Sequence, residues 1–285
     1  MKTIITGASG LLGSDLARVF REQHEVLALE GRKALDLTDA QAVMDFMMQE
    51  KPELIVHSAG FRMVDEAEEH RNRTLTINAF ATKNIALAAA KLDIPMVHIS
   101  SDSVFDGETD VPYNEYDAPN PINVYGYSKW MAEQEVRAMH RRHFIVRVPL
   151  LFGANGHPES NYIHIMRKKL QAGEKISYTT DQLCSPTYCV DVAREILVMC
   201  QSEFYGTYHL ANTGIASRYE FYLECARQLG CDTSLLVPIL QKERSAKRAK
   251  NTMFESIAYP NTFHRTLRDW HEGLTECIEE ILRNG

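Results

Sequence analysis

Short apolar runs alternate with segments of helical periodicity through the first half of the chain. Residues 3–6 form a β-branched run, and Leu12, Leu16, Val19 and Phe20 then recur at helical spacing. Further strands are predicted at 25–30, 54–60, 96–100 and 144–148, with helices between them at 39–50, 78–92 and 123–140. This alternation predicts an α/β fold, a Rossmann-like doubly wound parallel sheet with helices on both faces.

The pattern changes after about Phe152, where glycine, asparagine and proline interrupt it at 153–158. Beyond this break, short strands at 175–178 and 207–210 mix with helices at 163–170, 190–200, 219–229 and 275–283. We predict a dinucleotide-binding domain over 1–152 and a smaller C-terminal α/β lobe, mainly for the substrate, over 153–285. Parts of 188–211 are expected to return to the first domain.

Three glycines at three-residue spacing follow the first strand. Gly7 permits a sharp reversal, Gly10 leaves the backbone open to a diphosphate, and Gly13 allows the next helix to pack closely on the strand. The first N–H groups of that helix would face the anion. A glycine triplet also occurs in loops without a ligand, but this one opens the first strand–helix unit. It predicts a dinucleotide site that also includes Ser9, Leu11 and Leu12.

The residues after the second strand give conflicting signals about the cofactor. Glu30 can hydrogen-bond a ribose hydroxyl, which favours NAD. Arg32, beside Lys33, can hold a 2′-phosphate, which favours NADP. We expect both cofactors to bind, with a modest preference for NADPH. Asp36 can accept a hydrogen bond from the adenine amino group while Leu37 packs on the ring, or both can merely shape the turn.

Small residues end the third predicted strand. Ser58, Ala59 and Gly60 would leave room for a flat ligand over the edge of the sheet. His57 and His98 lie within apolar strands and are expected to be hydrogen-bonded core residues, so no metal site is predicted.

Composition narrows the classes of partner. The net charge of −7 provides no basic field, so neither nucleic acid nor a membrane surface is expected as a partner. The six cysteines include no CxxC pair, and the chain opens with a strand instead of a signal peptide. No apolar run approaches the roughly 20 residues that span a bilayer. These features predict a cytoplasmic protein.

Tyr125 and Lys129 lie one helical turn apart and share a helix face. An adjacent ammonium and the positive charge of an oxidised nicotinamide both favour the phenolate, and would bring the pKa of the phenol from about 10 toward the working pH. Lys129 could also bind the nicotinamide ribose, and Ser101 would share the substrate oxygen with Tyr125. Taken alone, the pair could also be a buried tyrosine beside a lysine that extends to solvent.

The motifs resemble, in order and spacing, the extended short-chain dehydrogenase/reductases along the whole chain. This resemblance rests on Thr6-Gly7-xx-Gly10-xx-Gly13, Asp36-Leu37-Thr38, Ser58-Ala59-Gly60, Asn78, Ser100-Ser101 and Tyr125-xxx-Lys129. Within that superfamily the chain is most similar to the dTDP-4-dehydrorhamnose reductase family. That likeness rests on the stretches 61–68, 101–107, 121–126 and 248–252, with Asp181-Gln182 and Ser185-Pro186-Thr187.

The resemblance implies an NAD(P)H-dependent reductase of a 4-keto-6-deoxy sugar attached to a nucleoside diphosphate. It implies that Tyr125 is the proton donor, Lys129 its pKa modulator and ribose anchor, and Ser101 the counterpart of a family threonine. Asn78 and Ser100 join the cofactor-binding residues. The substrate residues it implies are Val64, Ser103, Phe105, Leu150 and Arg248. The resemblance leaves open whether the protein forms a homodimer.

Three departures from the family concern the substrate. Ser103 replaces an aromatic residue, Leu150 a tryptophan and Ala249 a proline. Two alternatives stay open: a dinucleotide-binding regulatory subunit, and another sugar-nucleotide epimerase or dehydratase of the superfamily. The intact Ser101, Tyr125 and Lys129 argue against the first. Against the second, dehydratases tend to carry Asp-Glu where this chain has Asp102-Ser103.

Overall fold

The structure, a computed structural model, describes residues 1–242 and 245–284. The strands are β1 (Lys2–Thr6), β2 (Glu25–Leu29), β3 (Leu54–His57), β4 (Met96–Ser101), β5 (His143–Val148), β6 (Leu151–Phe152), β7 (Ile176–Thr179), β8 (Leu183–Cys184), β9 (Thr187–Tyr188), β10 (Gly206–His209), β11 (Ala216–Ser217), β12 (Leu236–Ile239) and β13 (Asn251–Thr252). The α-helices are α1 (Leu11–Phe20), α2 (Ala40–Glu50), α3 (Val64–Glu69), α4 (Arg71–Leu75), α5 (Ala81–Leu92), α6 (Val124–Met139), α7 (Tyr162–Gln171), α8 (Cys189–Met199), α9 (Arg218–Gln228), α10 (Ala258–Phe263) and α11 (Trp270–Asn284).

The main sheet has six strands in the order β2-β1-β3-β4-β5-β10, and every neighbouring pair is parallel. The residues of β3 and β4 are all buried, as expected where helices cover both faces of a parallel sheet. The chain runs from β1 to β2 on one side and then returns to β3 on the other. This reversal between β1 and β3 is the switch point at which doubly wound sheets bind ligands. The predicted Rossmann-like class is confirmed.

The second half of the chain contributes to two regions. Helix α8 packs on α1, and β10 pairs with β5, so both belong to the main sheet and its layers. The remaining segments, called the lobe here, include a three-stranded sheet, β11-β8-β13, and a two-stranded sheet, β12-β7, and their apolar side chains belong to the same core cluster as one face of the main sheet. Helix α9 follows β11 directly and begins with a capping box between Ser217 and Glu220.

Several element boundaries differ from the sequence predictions. The last helix begins at Trp270 instead of Thr275, and it includes Gly273, where a Cβ would lie 2.9 Å from Tyr188 Cβ. The helix predicted to start at Asn78 is preceded by α3 and α4, and it opens with a π-helical turn, Thr76–Phe80. The third strand stops at His57, so Ser58–Gly60 is a loop.

Among the residues described, no helix is both long enough and apolar enough to cross a membrane.

Candidate active site

The glycine turn forms an open crevice at the switch point. Gly7 has a φ of +70°, and a Cβ there would lie 2.7 Å from the Ala59 nitrogen. A Cβ at Gly13 would lie 2.0 Å from the Gly7 oxygen, so only glycine lets α1 approach β1 this closely. At Gly10 a Cβ would meet only the Gly7 oxygen, at 3.2 Å. The space over Gly10 is therefore open to a ligand.

The opposite wall of the crevice is the loop after β3. Thr82 Oγ1 donates to the Asn78 carbonyl at 2.6 Å, so it accepts from His57 Nε2 at 2.9 Å. His57 Nδ1 then accepts from Thr6 Oγ1 at 2.8 Å, and burial lowers the pKa of His57 to about 3. His57 is thus a neutral core residue that joins β1, β3 and α5.

Asn78 holds the same loop from its other side. Its Oδ1 accepts from the Phe61 nitrogen at 2.6 Å, and its Nδ2 donates to the Phe61 oxygen at 2.9 Å and to Ser128 Oγ at 2.8 Å. The side chain therefore connects the loop after β3 to α6. In this structure Asn78 shapes the crevice through Phe61 and Ser128.

The predicted ribose and adenine residues lie on the surface beside β2. Glu30 and Arg32 are exposed, and Arg32 Nε donates to Asp36 Oδ2 at 2.8 Å. The other oxygen of Asp36 accepts from Thr38 Oγ1 at 2.7 Å, and these hydrogen bonds lower the pKa of Asp36. Asp36 therefore shapes the turn and also orients the Arg32 guanidinium.

The predicted catalytic residues meet at the carboxyl end of β4. Ser101 is the last residue of β4, and Asn123 caps α6 by accepting from the Gly126 nitrogen at 2.8 Å. A Cβ at Gly126 would lie 2.0 Å from the Ser103 oxygen, so glycine allows the start of α6 to rest on the loop after β4. That contact brings Tyr125 beside Ser101.

Burial sets the protonation of the Tyr125–Lys129 pair. It raises the pKa of Tyr125 to about 12, while the Ser101 hydroxyl beside the phenol opposes the rise. It also lowers the pKa of Lys129 to about 8, so this side chain loses its charge as the pH rises through about 8. Lys129 does not lower the pKa of Tyr125 here, because desolvation of the phenol is the largest cause and the charge of Asp102 adds to the rise. Lys129 Nζ instead donates to the Ile99 carbonyl at 2.6 Å.

A buried ion pair supports α6 one turn after Lys129. Arg147 donates from Nε and Nη2 to the two oxygens of Glu133, at 2.9 and 2.8 Å, and both side chains are buried. Ser100 Oγ also donates to Glu133, at 2.6 Å. Glu133 raises the pKa of Lys129 against the effect of burial. Sequence reasoning missed Glu133, although its helical spacing of four from Lys129 is a usable signal.

A cavity of about 120 Å³ lies beside Ser101, between the main sheet and the lobe. Four of the five predicted substrate residues line it: Val64, Ser103, Phe105 and Arg248. In the described part of the chain, Leu150 is not among the lining residues, and it packs instead on the apolar core. The lining residues that the predicted site does not include are Asp102, Ile122, Asn123, Gln182, Leu183, Arg218, Ala249 and Thr252.

The comparisons with known proteins agree with this geometry. Residues 1–283 match the family described as the RmlD substrate binding domain. The chain is 31% identical to the spore coat polysaccharide biosynthesis protein SpsK of Bacillus subtilis (strain 168), over 98% of this chain and 97% of that protein. It is also 31% identical to a dTDP-4-dehydrorhamnose reductase of Mycolicibacterium smegmatis, over 99% of this chain and 86% of that protein.

Solved structures match along the whole fold. The crystal structure of dTDP-4-dehydrorhamnose reductase from Bacillus anthracis str. Ames, in complex with NADP, has a TM-score of 0.93 and 33% identity, over 98% of this chain and 99% of that one. A structure from Clostridium acetobutylicum described as a dTDP-4-dehydrorhamnose reductase also has a TM-score of 0.93, at 32% identity, over 99% of this chain and 100% of that one. Because the family match spans nearly the whole chain and the folds agree, this chain belongs to the RmlD substrate-binding domain family, within the extended short-chain dehydrogenase/reductases.

Proposed function

We propose that this protein is an NAD(P)H-dependent reductase, with a modest preference for NADPH, of a 4-keto-6-deoxy sugar attached to a nucleoside diphosphate. The observation that carries the proposal is the position of Ser101 and Tyr125 at one edge of the main sheet, beside the cavity. The relatives named dTDP-4-dehydrorhamnose reductase support the substrate class, and the Bacillus anthracis complex supports the cofactor.

The residues around the switch point fit a dinucleotide. The open space over Gly10 would take the diphosphate, next to the first N–H groups of α1. Ser58, Ala59 and Gly60 would face the cofactor from the loop after β3, and Lys129 would hold the nicotinamide ribose. When bound, the reduced nicotinamide supplies a hydride for the carbonyl carbon of the substrate.

Tyr125 would donate the proton that the carbonyl oxygen needs. Its pKa of about 12 keeps the phenol protonated at neutral pH, which is the state that a proton donor requires. Ser101 Oγ donates to Asp102 Oδ1 at 2.8 Å, and rotation of its hydroxyl would turn this donor toward the same substrate oxygen. Two donors would then stabilise the charge that develops on that oxygen.

The direct test is to incubate the purified protein with NADPH and a panel of 4-keto-6-deoxy sugar nucleotides. We expect NADPH oxidation with at least one of them, and a product that has gained two hydrogens by mass spectrometry. Reactions without the sugar nucleotide are the control. If NADPH binds but none of the substrates is reduced, the result contradicts the proposed reductase and favours the regulatory subunit.

We propose that the enzyme works in the cytoplasm. Its six cysteines are free thiols and five of them are buried, which suits a reducing compartment.

Cofactor preference is expected to depend on Arg32. The pair of Arg32 with Asp36 is exposed to solvent and therefore weak, so the Arg32 guanidinium can be shared with a 2′-phosphate. We therefore expect Arg32→Ala to shift the ratio of kcat/KM values for NADPH and NADH toward NADH by about tenfold or more.

Steady-state kinetics with both cofactors would measure this ratio. Arg21→Ala is the matched control, because Arg21 is an exposed arginine after the far end of α1. A ratio that stays constant in Arg32→Ala would mean that Glu30 governs the site.

A further inference from the structure

Arg218 stands out among the cavity residues. It is the first residue of α9, directly after β11, and its backbone nitrogen donates to the Gln182 oxygen at 3.2 Å. This places the side chain on the lobe side of the cavity, which Asp102 and Ser103 line from the main sheet. Arg218 is therefore on the wall of the cavity that faces the loop after β4.

The guanidinium of Arg218 has no protein partner among residues 1–242 and 245–284, in either a hydrogen bond or a salt bridge with a carboxylate. The other cavity arginine differs, because Arg248 Nη2 donates to Asp65 Oδ2 at 2.8 Å and its Nη1 donates to the Ala246 oxygen at 3.1 Å. Arg147 likewise forms a salt bridge with Glu133. Arg218 thus brings to the cavity a guanidinium whose N–H groups have no acceptor among the described residues.

Asp102 is the acid on the facing wall of the cavity. Its Oδ1 accepts from the hydroxyls of Ser101 at 2.8 Å and Ser103 at 3.2 Å, and burial raises its pKa. No salt bridge joins Asp102 to Arg218 among the described residues. Asp102 is therefore hydrogen-bonded within the loop after β4, and it acts on Arg218 through its charge without a hydrogen bond or a salt bridge.

A partly buried guanidinium without a counter-charge costs free energy, because it has lost part of its hydration without gaining hydrogen bonds. A ligand that supplies anionic oxygens removes this cost. The planar fork of a guanidinium matches two oxygens of a phosphate or of a carboxylate.

We propose that Arg218 is a substrate-binding residue, whose guanidinium binds anionic oxygens of the sugar nucleotide. This inference rests on the proposed function. The diphosphate is the anionic group that every such substrate has, and a carboxylate on the sugar is the other source of the same chemistry. Arg218 determines specificity because a neutral ligand of the same shape would leave its charge without a partner.

The test measures nucleotide binding by calorimetric titration. The probes are dTDP, dTMP and thymidine, with UDP and GDP for the choice of base, and the variants are Arg218→Met and Arg218→Lys. We expect Arg218→Met to weaken dTDP binding about 10- to 100-fold and thymidine binding less than about twofold, since hydrogen bonds to charged groups are the stronger ones. Arg218→Lys should lie between the wild type and Arg218→Met.

Arg227→Met is the matched control, because Arg227 lies on the same helix, is exposed and pairs with Glu224. It makes the same change of charge and should leave dTDP binding unchanged. The thermal midpoint of Arg218→Met should be equal to that of the wild type or higher, because the guanidinium loses no protein partner. A large drop in this midpoint would indicate a structural role and would overturn the proposal.

Two further outcomes separate the sources of the anion. If dTDP binding is unchanged in Arg218→Met but KM rises at least about tenfold for a carboxylated sugar nucleotide and not for a neutral one, the anion is on the sugar. If neither changes, Arg218 does not bind substrate. Reduction of a 4-keto-6-deoxy sugar nucleotide by the wild type is measured separately, so the reductase proposal can stand when this inference fails.

Discussion

Replacing Tyr125 with phenylalanine is expected to lower kcat by two orders of magnitude or more, while NADPH still binds with nearly unchanged affinity. The substitution removes only the hydroxyl, and proton transfer by a positioned side chain contributes about 10²–10⁴ to the rate. The aromatic ring stays, so the half-buried start of α6 keeps its packing. Steady-state kinetics with the best substrate of the panel, together with calorimetric titration of NADPH, would measure both quantities.

Tyr127→Phe is the matched control for this variant. Tyr127 lies two residues further along α6, and Arg71 lies over its ring at 5.1 Å from the centroid. Side chains two positions apart on a helix point in nearly opposite directions, so Tyr127 does not share a face with Tyr125. Loss of the Tyr127 hydroxyl should therefore change kcat little. Activity retained in Tyr125→Phe would show that another group donates the proton.

Lys129→Ala is expected to impair cofactor binding as well as turnover. The Lys129 side chain is buried and donates to the Ile99 carbonyl. Its removal deletes a positive charge beside Tyr125 together with the predicted ribose contact. This double defect separates Lys129 from Tyr125, whose variant should fail only in the chemical step. Equal cofactor affinity in Lys129→Ala and the wild type would contradict the predicted role as ribose anchor.

Gly10→Val is expected to abolish NADPH binding without unfolding the protein. A Cβ at Gly10 would meet only the Gly7 oxygen, at 3.2 Å, and the φ of −76° suits any residue. The new side chain would therefore occupy the open space over the turn, where the diphosphate is proposed to bind. Calorimetric titration with NADPH and circular dichroism would test the two halves of this prediction.

Gly13→Ala provides the contrasting variant for this experiment. Its Cβ would lie 2.0 Å from the Gly7 oxygen, a distance that the backbone can relieve only by moving α1 away from β1. We expect this smaller substitution to lower the thermal midpoint, unlike Gly10→Val. An unchanged NADPH affinity in Gly10→Val would mean that the dinucleotide binds elsewhere or not at all.

The sequence was enough to predict the main sheet, because the patterns that identify its strands and helices are local. Short apolar runs at 25–30 and 144–148 correspond to β2 and β5, and Asn123 caps α6 as its position suggested. Helical periodicity and capping residues act within a few positions of each other, so one chain is enough to recognise them. The spacing of Tyr125 and Lys129 is local in the same way.

The substrate cavity was decided by tertiary structure. Its lobe side depends on β8, β11 and β13, strands of two residues each, which are too short to have a recognisable period. Arg218 faces Asp102 only because the fold brings residues more than 100 positions apart to facing walls of one cavity.

The pKa of Tyr125 shows the same division. Sequence spacing identified the charge of Lys129 as its neighbour, but burial, which depends on the whole fold, sets the direction of the shift. The sequence by itself thus determined which groups are present and in what order along each element. Only the packing of the lobe on the sheet decided which groups meet and how far each is removed from water.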